Sequence, residues 1–204
     1  MKKTSLTMAV LLLVIALPIL AQAQQVFDFN GQALLPTGVG DNVMAYLPVD
    51  DAGLIPTPIP LDFANFEYTF VVMAPLAVVN GNSQDYGPGT IVLYEDNATP
   101  ADYSNPATFS DGTAILSGTF YDFTRTMFTA NLGSGSGKVD WTGGTRVGEI
   151  APADQDNWAF VVSISNRSTV TEPGYDENWD GKVEPLEPVV PNTESSMSGF
   201  KTRH

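Results

Sequence analysis

Hydrophobic and polar side chains alternate in residues 64–72, which have the sequence ANFEYTFVV. Successive side chains of an extended chain point to opposite faces, so one face collects Ala64, Phe66, Tyr68, Phe70 and Val72. The same period of two recurs in residues 158–164, whose apolar positions are Trp158, Phe160, Val162 and Ile164. A shorter run has Phe128, Ala130 and Leu132. These patterns predict β-strands with one buried face.

Further strands are predicted from runs of β-branched and aromatic residues at 26–29, 43–47, 76–79, 90–94, 114–123, 139–141 and 145–150. The pairs that tolerate the positive φ of tight turns are Asn80-Gly81, Asp111-Gly112 and Gly143-Gly144. We expect Gly143-Gly144 to form a hairpin turn. We expect residues 133–137, GSGSG, to be a flexible connection between two strands.

The fold class follows from these short strands and from the punctuation between them. Pro and Gly, 15 and 18 residues, recur too often for an amphipathic helix of a dozen residues. The chain is therefore predicted to be all-β, an antiparallel β-sandwich or jelly roll, with an open-ended barrel as the second choice. We assign residues 24–170 to this domain and residues 171–204 to an irregular, acidic, Pro-rich C-terminal appendix.

Residues 1–23 have the three parts of a secretory signal peptide. Lys2 and Lys3 precede an apolar run over residues 6–20, and Ala21-Gln22-Ala23 supplies a cleavage site. The apolar run is shorter than the roughly 20 residues that span a bilayer, which favours a cleaved signal over a membrane anchor. No second segment is long and apolar enough to cross a bilayer, so we expect no transmembrane segment in the mature chain. With no cysteine, the chain is more typical of a bacterial export product, located outside the cell, in the periplasm or on the cell surface.

The charge balance limits the partners that this chain can bind. Nine basic and 23 acidic residues give a formal charge of −14, and loss of Lys2 and Lys3 with the leader lowers it to −16. Such a charge repels phosphate backbones, so we expect no nucleic-acid partner. An extracellular protein or polysaccharide partner and self-association remain open.

Residues 176–187, DENWDGKVEPLE, have the spacing of a calcium-binding loop, D-x-[DN]-x-[DN]-G-x5-E. Calcium prefers six to eight oxygen ligands, which short side chains at alternate positions can supply when the backbone curls around the ion. The predicted ligands are Asp176, Asn178, Asp180, the Lys182 carbonyl, Glu184 and Glu187. Gly181 permits the sharp turn at the sixth position.

This segment resembles the EF-hand loop and, more closely, the short calcium loops of bacterial dockerin repeats. The resemblance covers twelve residues and implies a single Ca²⁺ site. The alternative is an ordinary hairpin turn at Asp180-Gly181 with solvated acids around it.

Catalytic classes are limited by the residues that are missing. His204, at the end of the chain, is the only histidine, which argues against a Ser-His-Asp triad and a zinc hydrolase site. A glycosidase needs two carboxylates, and Glu67 and Asp122 stand out because they lie within predicted strands. Outward-facing positions explain both, so we expect no enzyme.

Three functions remain from the sequence. The first is an exported, non-catalytic β-sandwich with one calcium loop and an extracellular structural or adhesive role. The second is a carbohydrate-binding module with an aromatic platform drawn from Tyr86, Tyr103, Trp141, Trp158, Tyr175 and Trp179. The third is a filament or matrix subunit in which the tail or a strand edge pairs with a neighbour.

Overall fold

The computed structural model describes residues 24–189, and these residues form nine β-strands. The strands are β1 (Phe27–Leu34), β2 (Asn42–Asp50), β3 (Glu67–Asn80), β4 (Ser83–Tyr86), β5 (Gly89–Asp96), β6 (Thr113–Met127), β7 (Leu132–Gly143), β8 (Trp158–Ser165) and β9 (Glu177–Glu184). Helical segments in this part of the chain are three short 3-10 turns at Pro106–Phe109, Val147–Glu149 and Pro152–Asp154. The all-β prediction is confirmed.

Eight of the strands form a closed antiparallel barrel in the order β1, β2, β3, β5, β6, β7, β8, β9. β1 and β9 close it, pairing from Phe27 opposite Val183 to Ala33 opposite Glu177. The extra strand, β4, lies between β3 and β6 and continues the line of β5. The predicted sandwich or jelly roll is therefore wrong, because those folds pack two sheets face to face, whereas here one sheet closes on itself. The second choice from the sequence, a barrel, is the architecture that the chain adopts.

The C-terminal part of the chain differs from the expected irregular appendix, because β9 is a full barrel strand between β8 and β1. Its inner face carries the buried residues Trp179 and Val183, and its outer face carries polar residues. Folded structure thus continues well past residue 170. The predicted signal peptide, residues 1–23, and residues 190–204 of the predicted appendix lie outside the described residues.

Aromatic side chains fill the barrel. Rings from strands that are not neighbours contact one another across the interior, with centroids 6.3 Å apart for Phe70 of β3 and Trp141 of β7 and 5.3 Å apart for Phe123 of β6 and Trp179 of β9. The largest fully buried aromatic side chains of this core are Trp141, Trp158, Trp179, Tyr68, Phe27, Phe29, Phe70, Phe120, Phe123 and Phe160. Burying each such side chain stabilises the fold by about 1.5–3 kcal/mol, which makes this interior the main source of stability.

The predicted flexible connection at residues 133–137 is instead part of β7. A Cβ atom built on Gly135 would lie 2.6 Å from the Phe123 ring and 2.9 Å from Val162. Gly135 and Gly137 therefore make room for the Phe123 side chain inside the barrel. The strand predicted at Phe128 to Leu132 is also wrong, because residues 128–131 form the turn between β6 and β7.

Of the predicted turns, Asn80-Gly81 is confirmed as the hairpin between β3 and β4, with Gly81 at φ +60°. Gly143-Gly144 does not form a hairpin. β7 ends at Gly143, Gly144 has φ +102°, and the next residues bond back to β6 through Thr145 N–H and the Ala114 carbonyl, 3.1 Å apart. The chain then enters the 3-10 turn at Val147–Glu149.

The strand order defines two ends of the barrel. The connections β1–β2, β3–β4, β6–β7 and β8–β9 meet at what we call the upper end. The connections β2–β3, β5–β6 and β7–β8 meet at the lower end.

Candidate functional site

The residues of the predicted calcium loop lie at and along β9. Asp176 precedes the strand, and its carboxylate accepts a hydrogen bond of 2.7 Å from the Leu35 backbone N–H. The Asn178 side chain donates to Asn30 Oδ1 at 2.7 Å and to the Gly31 carbonyl at 2.9 Å. These contacts join β9 to β1.

The remaining predicted ligands spread along the outer face rather than around one point. Asp180 is exposed, and Lys182 Nζ lies 2.9 Å from Glu184 Oε2. An extended strand rises about 3.3 Å per residue, so the backbones of Asn178 and Glu184 are about 20 Å apart. Calcium ligands lie 2.3–2.6 Å from the ion. The barrel therefore does not bring Asp176, Asn178, Asp180, Lys182, Glu184 and Glu187 together, because burial of Trp179 and Val183 holds β9 extended.

Residues 24–189 contain no group of three or more His, Cys, Asp or Glu side chains placed to hold a metal ion. Binding by residues 176–187 would require β9 to leave the barrel. Calcium binding by this motif stays a prediction.

A different set of carboxylates meets on the outer face of β1, β2 and β9. Asp28 lies directly opposite Asp50, and Asp180 stands opposite Asn30 on the adjoining strand. Burial, and secondarily the Asp180 charge, raises the pKa of Asp28, which the Lys182 charge partly offsets. Burial, then the charges of Asp28 and Asp180, raises the pKa of Asp50. Sequence spacing missed this cluster, because its members come from strands distant in the chain.

Inside the upper half of the barrel, Arg125 and Glu177 form a buried ion pair, 8% and 1% exposed. Arg125 Nε lies 3.0 Å from both carboxylate oxygens, and Nη2 also contacts Oε1. Gln84 accepts from Arg125 Nη1 at 3.1 Å, and Trp179 Nε1 donates to Glu177 at 3.0 Å. Burial opposes the charged form of Arg125, but the hydrogen bonds and charge of Glu177 outweigh it and raise its pKa. Every charge here has a partner inside the fold, so this network is structural.

A second network fastens the loops of the lower end. The Tyr68 hydroxyl donates to Glu95 Oε2 at 2.9 Å and accepts from the Asp62 N–H at 2.9 Å. Arg146 bonds both oxygens of Glu149, at 2.7 and 2.9 Å, and the Pro60 carbonyl at 2.6 Å. Burial is the main cause that raises the pKa of Tyr68. These contacts tie residues 51–66 and 144–157 to the barrel.

The predicted aromatic platform does not form. Its three tryptophans, Trp141, Trp158 and Trp179, lie fully inside the barrel, and Tyr86 is buried with them. Burial raises the pKa of Tyr86 to about 12. Tyr103 and Tyr175 are half-buried and 5.4 Å apart; the Tyr175 ring lies 6.1 Å from Tyr46 of β2, and the Tyr103 ring lies 4.9 Å from Phe109. Alternation along a strand cannot distinguish an exposed stacking surface from a buried core. In this protein the tryptophans and Tyr86 belong to the core.

The two carboxylates that stood out as acid–base candidates line separate depressions. Glu67 accepts from the Ala101 N–H at 2.8 Å near the lower end. Asp122 lies at a bulge in β6, with φ +51°, and its carboxylate is 3.7 Å from Lys138 Nζ. The structure therefore does not join them into one site.

A groove of about 320 Å³ runs over β7 and β8 beside that bulge. Its floor is formed by Ala159, Val161 and Leu186, and its polar groups include Asp122, Lys138, Asn157 and Ser136. Asn157 has φ +61°, and its N–H donates to Asp140 at 2.7 Å. Non-glycine residues with positive φ are uncommon and often mark functional positions, so two of them at one groove are worth a test.

Comparisons with protein-family models, with curated proteins and with solved structures found no match to this chain. Among residues 24–189 there is no helix with the length and hydrophobicity needed to cross a membrane.

Proposed function

We propose that this protein is an exported, non-catalytic β-barrel with an extracellular structural or adhesive role. The observation that carries the proposal is the aromatic filling of the barrel. Rings from strands well separated around the barrel meet inside it, as Phe70 of β3 and Trp141 of β7 do with centroids 6.3 Å apart, so a partner meets the outer surface and the loops. The N-terminal signal pattern supports the exported location.

The polar groups support a non-catalytic role. The buried Arg125 and Glu177 neutralise each other, and the Arg146 network is used to fasten loops. The carboxylates Glu67 and Asp122 lie in different depressions, whereas a glycosidase places its two carboxyl groups on either side of one bond.

The pairing of every strand edge bears on the third function considered from the sequence, a filament or matrix subunit. Each of the nine strands in the described part of the chain has a hydrogen-bonded neighbour on both sides. Strand donation to a free edge therefore has no obvious acceptor in this barrel, and assembly would have to use loops or outer faces.

The experiment compares adhesion with turnover. The mature chain, residues 24–204, is coupled to beads, and retention of bacterial cells and of extracellular polysaccharide is measured beside assays of glycoside, ester and peptide hydrolysis. We expect retention without turnover. Turnover that Glu67→Gln or Asp122→Asn abolishes, while the exposed-loop control Asp111→Asn keeps it, would contradict the proposal.

A carbohydrate-binding module is the second candidate, and the groove beside Asp122 favours it. Its apolar floor suits the C–H face of a sugar ring, and Lys138, Asn157 and Asp122 can exchange hydrogen bonds with hydroxyl groups. Affinity electrophoresis in gels containing soluble polysaccharides tests it. We expect retardation that Lys138→Gln and Asp122→Asn remove and Asp111→Asn keeps. If wild type and the three variants each migrate in every polysaccharide gel as they do in a gel without polysaccharide, the second candidate is contradicted.

A further inference from the structure

Exposed aliphatic and aromatic side chains gather at the upper end of the barrel. Each of its four connections, or the strand ends beside it, contributes at least one large apolar side chain that is between 40% and 67% exposed. These side chains are Val39, Val78, Val79, Phe128, Leu132 and Val170. Exposed apolar residues scattered singly need no explanation, but a cluster at one end does.

Hydrogen bonds show that these connections are neighbours in space. Gly40 N–H donates to the Leu76 carbonyl at 2.8 Å, and Met127 N–H donates to the Asn82 carbonyl at 3.0 Å. Asn166 Nδ2 donates to the Ala130 carbonyl at 2.9 Å. The apolar side chains therefore belong to one surface, which we call the upper patch: residues 35–40, 78–82, 127–132 and 166–171.

The upper patch differs from the rest of the chain in charge. Arg167 is the single charged residue among its four segments. Asp41, Asp85, Glu172 and Asp176 flank it. Three of these carboxylates accept hydrogen bonds, from Thr37 Oγ1 at 2.6 Å, from Thr124 Oγ1 at 2.7 Å and from Leu35 N–H at 2.7 Å. The connections of the lower end contain seven acids and one Arg: Asp51, Asp62, Asp102, Asp111, Arg146, Glu149, Asp154 and Asp156.

We infer that the upper patch binds the upper patch of a second copy of this chain, so that two barrels associate end to end about a two-fold axis. The charge distribution selects this partner and this orientation. Two mature chains of charge −16 repel each other wherever their acidic surfaces meet. The upper patch is the surface at which two copies can approach with little charge between them and with apolar side chains to remove from water.

The length of the barrel strengthens this orientation. β8 has eight residues, which is about 26 Å of extended chain, and strands in barrels tilt by about 35–45°. In an end-to-end pair the two acidic lower ends are thus about 40 Å apart. Repulsion at that distance is screened, because the Debye length is about 8 Å at physiological ionic strength.

Sedimentation velocity of the mature chain tests association from about 1 to 300 µM, the range expected for a small apolar interface. We expect dimers at the upper concentrations, with Phe128→Asp raising the dissociation constant at least about tenfold. The matched control is Val161→Asp, which adds the same charge at a 42% exposed position on β8, away from the patch. Val39→Asp repeats the test on another loop if Phe128→Asp lowers the melting temperature.

Orientation is tested with spin labels, since the chain has no cysteine of its own. Asn131→Cys places a label in the upper patch. Leu54→Cys places a label at the lower end, at a side chain that is fully exposed. We expect a shorter distance between copies for the Asn131 label than for the Leu54 label.

A wild-type chain that stays monomeric throughout, whether or not it binds phosphatidylcholine vesicles, would overturn the inference. So would dimers that Phe128→Asp and Val39→Asp leave intact, or a shorter distance for the lower label. The inference does not depend on the proposed function. Sedimentation measures self-association and the bead assay measures retention of cells and polysaccharide, so either result can fail without the other.

Discussion

The two faces of β9 hold the same kind of side chain in opposite surroundings. On the inner face, the Glu177 carboxylate contacts Arg125 and the Trp179 ring nitrogen inside the barrel. On the outer face, Asp180 lies near Asp28, whose pKa is raised first by burial and second by the Asp180 charge. A carboxylate inside this barrel is matched by a cation, whereas carboxylates outside are left beside one another because water screens them. The inner face therefore fixes the fold, and the outer face sets the charge and the pH response.

The largest expected effect comes from breaking the inner pair. Glu177→Gln leaves the Arg125 charge buried without its carboxylate, which should lower the free energy of unfolding by about 3–5 kcal/mol. Urea denaturation of the mature chain measures it. The outer-face control is Lys138→Met, which breaks an exposed pair of 3.7 Å and should cost less than about 1 kcal/mol. Equal losses in the two variants would contradict the comparison.

Replacing both Arg125 and Glu177 tests whether the loss of stability comes from an uncompensated buried charge. Arg125→Met combined with Glu177→Leu removes the buried charges together, and such replacements are often neutral or stabilising. We expect the double variant to recover most of the stability that Glu177→Gln loses. A double variant that is as unstable as the single variant would show that the ion pair itself, rather than the uncompensated charge, supports the barrel.

A methyl group added to the inner face should cost less than a broken ion pair. Gly135→Ala places a Cβ atom 2.6 Å from the Phe123 ring, and overpacking of this kind costs about 1–3 kcal/mol. Gly148→Ala is the matched control, since its Cβ would meet no atom within 4 Å. Thermal melting of both variants measures the difference. Equal melting temperatures would contradict the view that glycine is needed to seat Phe123.

Removing one of the outer carboxylates, Asp50, should raise the free energy of unfolding slightly, whereas Glu177→Gln and Gly135→Ala should lower it. Like charges directly opposite each other in a sheet cost about 0.2–1 kcal/mol, so Asp50→Asn should stabilise the protein by that amount at pH 7. Because the folded state raises the pKa values of Asp28 and Asp50, it holds their protons more tightly than the unfolded state does. Their destabilising effect is therefore present above the raised pKa values and fades as the pH falls toward about 4.

Denaturation of wild type and Asp50→Asn at several pH values checks this sign. The advantage of Asp50→Asn should shrink as the pH falls. A stabilisation that grows toward low pH would contradict the assignment.

The alternation of side chains was the most informative sequence signal, and it succeeded where apolar residues occupy every inward position. In β8, Trp158, Phe160, Val162 and Ile164 are all buried, as the period of two predicts. The signal failed in β7, whose inward positions include Gly135, and in β9, whose inward positions include Glu177 and Gly181. A glycine or a buried acid at an inward position cannot be recognised without knowing its partner.

Closure of the barrel was also beyond sequence reasoning. It depends on the pairing of β1 with β9, whose residues Phe27 and Val183 are far apart in the chain. The same holds for Arg125 and Glu177, which come from strands that only the closed fold brings together. The calcium motif is an example of a spacing that fits two structures. Side chains at alternate positions point toward the ion in a calcium loop, and they point to one face of the sheet in a strand.

Amide hydrogen exchange of residues 177–184, followed with calcium and with chelator, tests most directly whether β9 is a barrel strand. The structure predicts that these amides are as strongly protected as those of β1 and β8, and equally so in both conditions. Rapid exchange with chelator, replaced by protection when calcium is added and lost again in Glu187→Gln, would contradict it. That result would instead establish residues 176–187 as a calcium loop outside the barrel.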